Sequence, residues 1–184
     1  MDNYGLNLHP IYGYLIVIAL SFILISISTY NETIKPFHKE KKINGYLFVI
    51  RLLHYIILIL TSFYLFIFNA SLDVFYLVYC SFLYLHWPFL NYECFLSNLE
   101  YSYYDEHYIP GTAKIKTIYL RQIFGKYTDN LILLLGIISV FSMSIILYRQ
   151  DWIPILIKIL SITIFILYML YVYYRKRNLL KKKI

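Results

Sequence analysis

Side chains able to do chemistry are few in this chain and fall close together: Arg51 and His54, then His86, Glu93, Cys94 and Glu100, then the run Asp105-Glu106-His107. Paired imidazoles on neighbouring helices can ligate a haem iron axially, and His, Cys and carboxylate groups together are the donors of metal and acid–base sites. The candidate site is therefore His54, His86, Glu93, Cys94, Glu100 and Arg51, with His54, His86 and His107 as candidate metal ligands. No second His pair and no haem-attachment motif accompanies them, and their spacing matches no established metal signature. No cofactor is predicted, haem and a metal ion standing as alternatives. A structural reading competes: Arg51 reaches the head groups or pairs with Glu93, and the histidines hydrogen-bond to neighbouring helices.

The elements that must position these residues belong in lipid. Across 184 residues the chain is 60% hydrophobic, 20% aromatic and only 15% charged, too apolar to cover a soluble domain with polar surface. Apolar stretches at about 11–30, 43–69, 73–92, 131–148 and 153–174 approach the roughly 20 residues a helix needs to cross hydrocarbon. Strand-like alternation is absent, and backbone satisfaction in a bilayer imposes helices despite the many β-branched Ile residues. The expected fold is one all-α domain, a polytopic transmembrane helical bundle of five spans.

Charge orients it. Lys35, Lys39, Lys41 and Lys42 follow the first stretch; Lys114, Lys116, Arg121 and Lys126 follow the third; Arg175, Lys176, Arg177, Lys181, Lys182 and Lys183 form the tail 175–184. The other connections carry only Arg149. The positive-inside bias then predicts an N-outside, C-inside arrangement, and four or six spans would put a basic block on the wrong side. The net charge of +7 reads as topology plus attraction to anionic head groups rather than nucleic-acid binding. The first stretch, with no basic residue before it, is expected to stay as a span rather than act as a cleaved signal. His54 and His86, on antiparallel neighbours at similar depth, are expected to face each other. Cys80 and Cys94, about 20 Å apart along a continuous helix, are not expected to bridge. The sequon Asn69-Ala70-Ser71 abuts the membrane, and its use is not expected.

Residues 93–128 form the cytoplasmic segment. Ser97 and Glu100 make a capping box that starts a short helix, and Pro110-Gly111 makes a turn. Ile115, Ile118, Tyr119, Ile123 and Phe124 repeat at helical spacing. That pattern suits an interfacial helix with Lys116, Arg121 and Lys126 on lipid phosphate; a helix packed under the bundle satisfies it equally.

The run Cys94-Phe95-Leu96-Ser97-Asn98-Leu99-Glu100 resembles the C-P-L-T-x-L-E signature of a bacterial family of small, uncharacterised multi-spanning membrane proteins. In that family a His-bearing apolar helix precedes a span ending in the motif. Here His54 lies in the earlier stretch, Ser97 stands for Thr and Phe95 replaces Pro. Similar His-Trp, Asn, Cys and Leu-Glu patterns occur in large DNA viruses, and the likeness covers about Arg51 to Glu106. It implies an architecture and no activity.

Neither repeated halves nor a polar stripe suggests a carrier or pore. Lys158 is expected to snorkel toward Asp151 or head groups, and Trp87 and Trp152 to sit near span ends. Lys181-Lys182-Lys183-Ile184 has the form of a dilysine retrieval signal. The functional expectation is a structural or interaction role in an organelle or virion membrane, the endoplasmic reticulum included. Its partners are anionic lipid and other membrane proteins or a second copy of itself. The alternative is a membrane-bound enzyme or redox protein.

Overall fold

The computed structural model of the chain describes residues 10–36, 43–68, 70–91, 93–113 and 117–181, and no strand occurs among them. The helices are α1 (Pro10–Ile34), α2 (Gly45–Ile67), α3 (Asp73–Leu85), α4 (Phe95–Tyr104), α5 (Ile118–Phe124), α6 (Thr128–Tyr148) and α7 (Ile155–Lys181). Four segments, Ile11–Ile34, Gly45–Ile67, Ile118–Tyr148 and Ile155–Val172, are long and apolar enough to cross a membrane. The protein is thus all-helical and of the membrane type. Its outer faces carry Leu15, Phe22, Phe141, Leu156, Leu160 and Leu167, all exposed, and so extensive an apolar surface belongs against hydrocarbon.

The third apolar stretch differs from a single long helix. α3 has 13 residues, about 20 Å at 1.5 Å per residue, short of the roughly 30 Å hydrocarbon core. A 3-10 turn follows at Trp87–Leu90, then Asn91 in the left-handed region (φ 50), and α4 starts anew after Cys94. Pro88 is the cause: it has no N–H to give the Tyr84 carbonyl one turn earlier, and its ring crowds that carbonyl. Tyr168 of α7 donates its hydroxyl to the Tyr84 oxygen instead, at 2.8 Å.

Despite the break, α3 and α4 both run antiparallel to α2. Tyr64 donates to Asp73 (3.1 Å), Tyr76 to the Thr61 carbonyl (2.6 Å) and Tyr79 to the Ile57 carbonyl (3.2 Å). One turn further along α2, His54 meets Ser97 of α4 at 3.3 Å. The short step from Ile57 to His54 is thus matched by the step from Tyr79 to Ser97, and everything between is an excursion inserted into one antiparallel pairing.

The hub is α2, with 56% of its apolar window buried against 11% for α7 at the periphery. Asn44 caps α2, its side chain accepting from the Leu47 N–H at 3.0 Å. At one end of the bundle lie the end of α1, the start of α2, α4, α5 and the start of α6; Lys35, Arg121 and Lys126 make this the basic end. At the opposite end the start of α1 meets the end of α2 so closely that a Cβ on Gly13 would stand 2.7 Å from the Phe68 ring. There Arg149 pairs with Asp73, which is 2% exposed and also takes Gln150 Nε2 at 3.1 Å.

α5 packs against the bundle. Ile118, Tyr119 and Leu120 are buried, and the Tyr119 carbonyl accepts from Tyr55 (2.8 Å) and Ser28 (3.3 Å). Asn31 donates to the Gln122 carbonyl at 2.6 Å. The packing under the bundle expected for this segment is observed: α5's own carbonyls find donors on α1 and α2. Lys116, the sequon's Asn69, residues 37–42 and the end of the dilysine signal at 182–184 lie outside the described residues.

Candidate functional site

Two sites grow from the antiparallel pairing of α2 with α4. Arg51 and His54 are three residues apart on α2, Ser97 and Glu100 three apart on α4, and this spacing places each pair on one helix face. Run antiparallel, the faces make two bonds together: His54 to Ser97, and Arg51 Nε to Glu100 Oε1 at 2.7 Å.

Arg51 is wholly buried. Its Nη1 pairs with Glu32 of α1, and its Nη2 donates to the Tyr104 hydroxyl (3.1 Å), which in turn donates to Glu32 Oε1 (3.1 Å). Glu32 and Glu100 are 5% and 1% exposed. A guanidinium presents N–H groups in a planar fork and so can hold three helices at once, where an ammonium is a single point of charge. Arg51 therefore neither reaches the head groups nor pairs with Glu93. Ser97 and Glu100 do not form the expected capping box either: α4 begins at Phe95, Cys94 occupies the cap without a side-chain hydrogen bond, and both polar side chains turn toward α2.

The second site is the helix break. His86 is fixed through both ring nitrogens: Nδ1 meets the Phe82 carbonyl at 3.3 Å and Nε2 accepts the Phe95 N–H at 3.2 Å. Asn91 donates to the Pro110 carbonyl at 3.0 Å. One oxygen of Glu93 accepts from the Tyr108 hydroxyl (2.5 Å) and the Gly111 N–H (3.0 Å). Burial, then the neighbouring Glu93 carboxylate, hold the Tyr108 hydroxyl above its ordinary range, so it remains a donor. His54 stacks on Tyr119 at 4.2 Å, and its Nδ1 has no hydrogen-bond partner among the described residues.

Around this break lies a cavity of about 200 Å³. His54, Glu93, Cys94 and Ser97 line it together with Trp87 and Tyr119, while Leu135 and Met169 contribute apolar wall. His86 and Glu100 do not line it. The facing His54–His86 pair expected from helix depth is therefore not formed, because the break turns His86 back onto its own backbone. Among the described residues no three His, Cys, Asp or Glu side chains assemble as metal donors. Asp105, Glu106 and His107 are exposed in the turn after α4, outside the cavity lining. Neither Cys80 nor Cys94 is part of a disulfide.

The remaining cations are placed as follows. Arg121 Nη2 pairs with Asp129 at 2.9 Å, and Lys126 stands over the Tyr127 ring at 5.2 Å. Lys158 does not snorkel toward Asp151: it is 7% exposed and donates to the Tyr148 carbonyl at 2.6 Å, satisfying a helix-terminal acceptor. Glu32, Tyr104 and the Asp73–Arg149 pair were not among the sequence candidates. Glu32 follows the apolar stretch ending at Tyr30, and its place on the same helix was the only signal for it. No known protein family, curated protein or solved structure matches this chain.

Proposed function

We propose that this is a five-pass integral membrane protein, N-outside and C-inside, whose role is structural or interactive. In this reading α3, the break and α4 cross together as an interrupted third passage, and the basic end faces the cytoplasm. Two features support it: α3 and α4 follow α2 in one antiparallel direction, and Arg121 of α5 and Lys126 just after it stand at the end where α1 stops. An endoplasmic reticulum or virion membrane is the proposed site. The likeness of residues 94–100 to small multi-spanning membrane proteins fits, since Cys94, Ser97 and Glu100 all sit where the interrupted passage is held.

The observation that carries the functional reading is the engagement of the chemically capable groups in helix-to-helix bonds. Arg51 and Glu100 are held in one buried network, and both nitrogens of His86 are occupied. Single cysteines introduced at positions 2, 107 and 180 of a Cys80→Ser, Cys94→Ser protein test the arrangement with a membrane-impermeant maleimide. Position 2 is expected to label from outside, and 107 and 180 from inside. Labelling of 2 and 180 from one face excludes an odd number of crossings.

A catalytic reading has one observation in its favour, Ser97 Oγ at 3.3 Å from His54 Nε2 in a cavity wall. A nucleophile–base pair of that kind is ordinarily oriented by an acid on the other ring nitrogen, and His54 Nδ1 has no partner among the described residues. Covalent labelling of Ser97 by a fluorophosphonate would overturn the structural reading in favour of hydrolysis or acyl transfer.

A further inference from the structure

The cavity at the helix break is more than a packing defect. Seven buried side-chain polar atoms lack a hydrogen-bond partner among the described residues, and four of them belong to residues lining this one cavity: His54 Nδ1, Trp87 Nε1, Glu93 Oε1 and Thr117 Oγ1. Buried polar groups are ordinarily satisfied, so a concentration of orphans around one chamber marks a place where a partner is missing.

The charge balance of the lining says what kind of partner. Among the described residues Glu93 is the only carboxylate in the lining, and no described Lys or Arg lines it. Glu93 is 8% exposed; its Oε2 takes two neutral donors, and among the described residues it forms no ion pair. A buried carboxylate without a counter-charge is costly, and an anionic ligand would worsen the imbalance. The rings of Tyr84, Trp87, Tyr101 and Tyr119 also line the chamber, and aromatic faces attract cations. Leu83, Ile132, Leu135 and Met169 supply an apolar portion of the wall, with the hydroxyl residues Thr61, Ser62 and Ser139 also in the lining. The volume, about 200 Å³, exceeds the roughly 150 Å³ that holds benzene in a dry protein cavity, leaving room for a ring-sized body and a short polar arm.

We propose that this cavity binds a small lipophilic amine, its ammonium against the Glu93 carboxylate and its apolar body among Leu83, Ile132, Leu135 and Met169. The site is independent of the crossing number, since it is built wholly within the bundle.

Three probes of one shape separate the possibilities: 2-phenylethylamine, protonated at pH 7, the neutral 2-phenylethanol and the anionic phenylacetate. Each is titrated calorimetrically into the full chain in lipid nanodiscs, with empty nanodiscs subtracted. The amine is expected to bind at least tenfold more tightly than the alcohol, and phenylacetate not to bind. Glu93→Gln keeps an acceptor oxygen for Tyr108 and Gly111, and is expected to lower the amine to the affinity of the alcohol while leaving the alcohol unchanged. Gly136→Phe reaches the chamber from the other wall, where a Cβ meets only Met169 Cε at 3.9 Å, and is expected to abolish binding of both. Equal binding of amine and alcohol by the unaltered protein, preference for phenylacetate, absence of all binding, or amine binding that survives Gly136→Phe each overturns the proposal.

Discussion

A guanidinium removed from water is tolerated only where its charge and donors are met, and Arg51 of α2 meets them with two carboxylates and a phenol from two other helices, α1 and α4. Taking away the centre of such a cluster leaves Glu32 and Glu100 buried without compensation. Arg51→Ala is accordingly expected to destabilise the protein by about 3–5 kcal/mol, the range for breaking a buried ion pair from one side. Arg51→Met combined with Glu32→Gln and Glu100→Gln removes all three charges and is expected to recover most of that loss. Thermal unfolding of the purified variants in detergent measures both; a fully stable Arg51→Ala protein would show that the network does not hold the helices together. Arg51→Lys is expected to fall between, because an ammonium cannot reproduce the three-way fork. Ser97→Ala removes one neutral hydrogen bond to His54 and is expected to cost only about 1 kcal/mol.

At the scale of elements the interrupted α3–α4 passage depends on a few backbone decisions. Pro88 ends α3, Asn91 turns the chain through the left-handed region, and Gly111, at φ 83, brings the following turn against Asn91. A Cβ at Gly111 would stand 2.7 Å from the Asn91 Cβ, in a conformation that already costs a non-glycine residue about 1–2 kcal/mol. Gly111→Ala is therefore expected to lower stability by more than that conformational cost and to loosen the Glu93 anchor. Faster hydrogen exchange at the Gly111 and Tyr108 amides, with α1 and α7 unchanged, is the corresponding observation. Tyr168→Phe, which strips the donor from the Tyr84 carbonyl, is expected to cost about 1 kcal/mol, with its exchange effect confined to the end of α3. The break itself was readable in outline: Pro88 stood in the third apolar stretch, but hydropathy averages over a proline, so the stretch read as one span. The Ser97–Glu100 spacing was equally readable and equally ambiguous. A separation of three suits a capping box and suits a helix face presented to a neighbour, and only the presence of Arg51 and His54 opposite decides between them.

For the molecule as a whole, the two ends of the bundle are fastened by different charged clusters, Arg51 with Glu32 and Glu100 at one and Asp73 with Arg149 at the other. Because they lie far apart and share no partner, their effects are expected to add. Asp73→Asn combined with Arg51→Ala should destabilise by the sum of the single changes within about 0.5 kcal/mol, and a clear excess would reveal coupling through α2. The composition and periodicity of the chain determined the all-helical class and four of its long apolar helices, because the need to bury backbone polar groups and expose apolar side chains to hydrocarbon acts locally on any stretch of sufficient length. They also singled out Arg51, His54, Glu93, Cys94 and Glu100, since ionisable groups stand out in so apolar a chain. Which of these meet was settled only by tertiary structure: Glu32 comes to Arg51, Ser97 replaces His86 opposite His54, and Asp73 closes on Arg149. An ion pair between distant segments depends on helix register and rotation, and those follow from the packing of every side chain along the interface, a sum that no short motif contains.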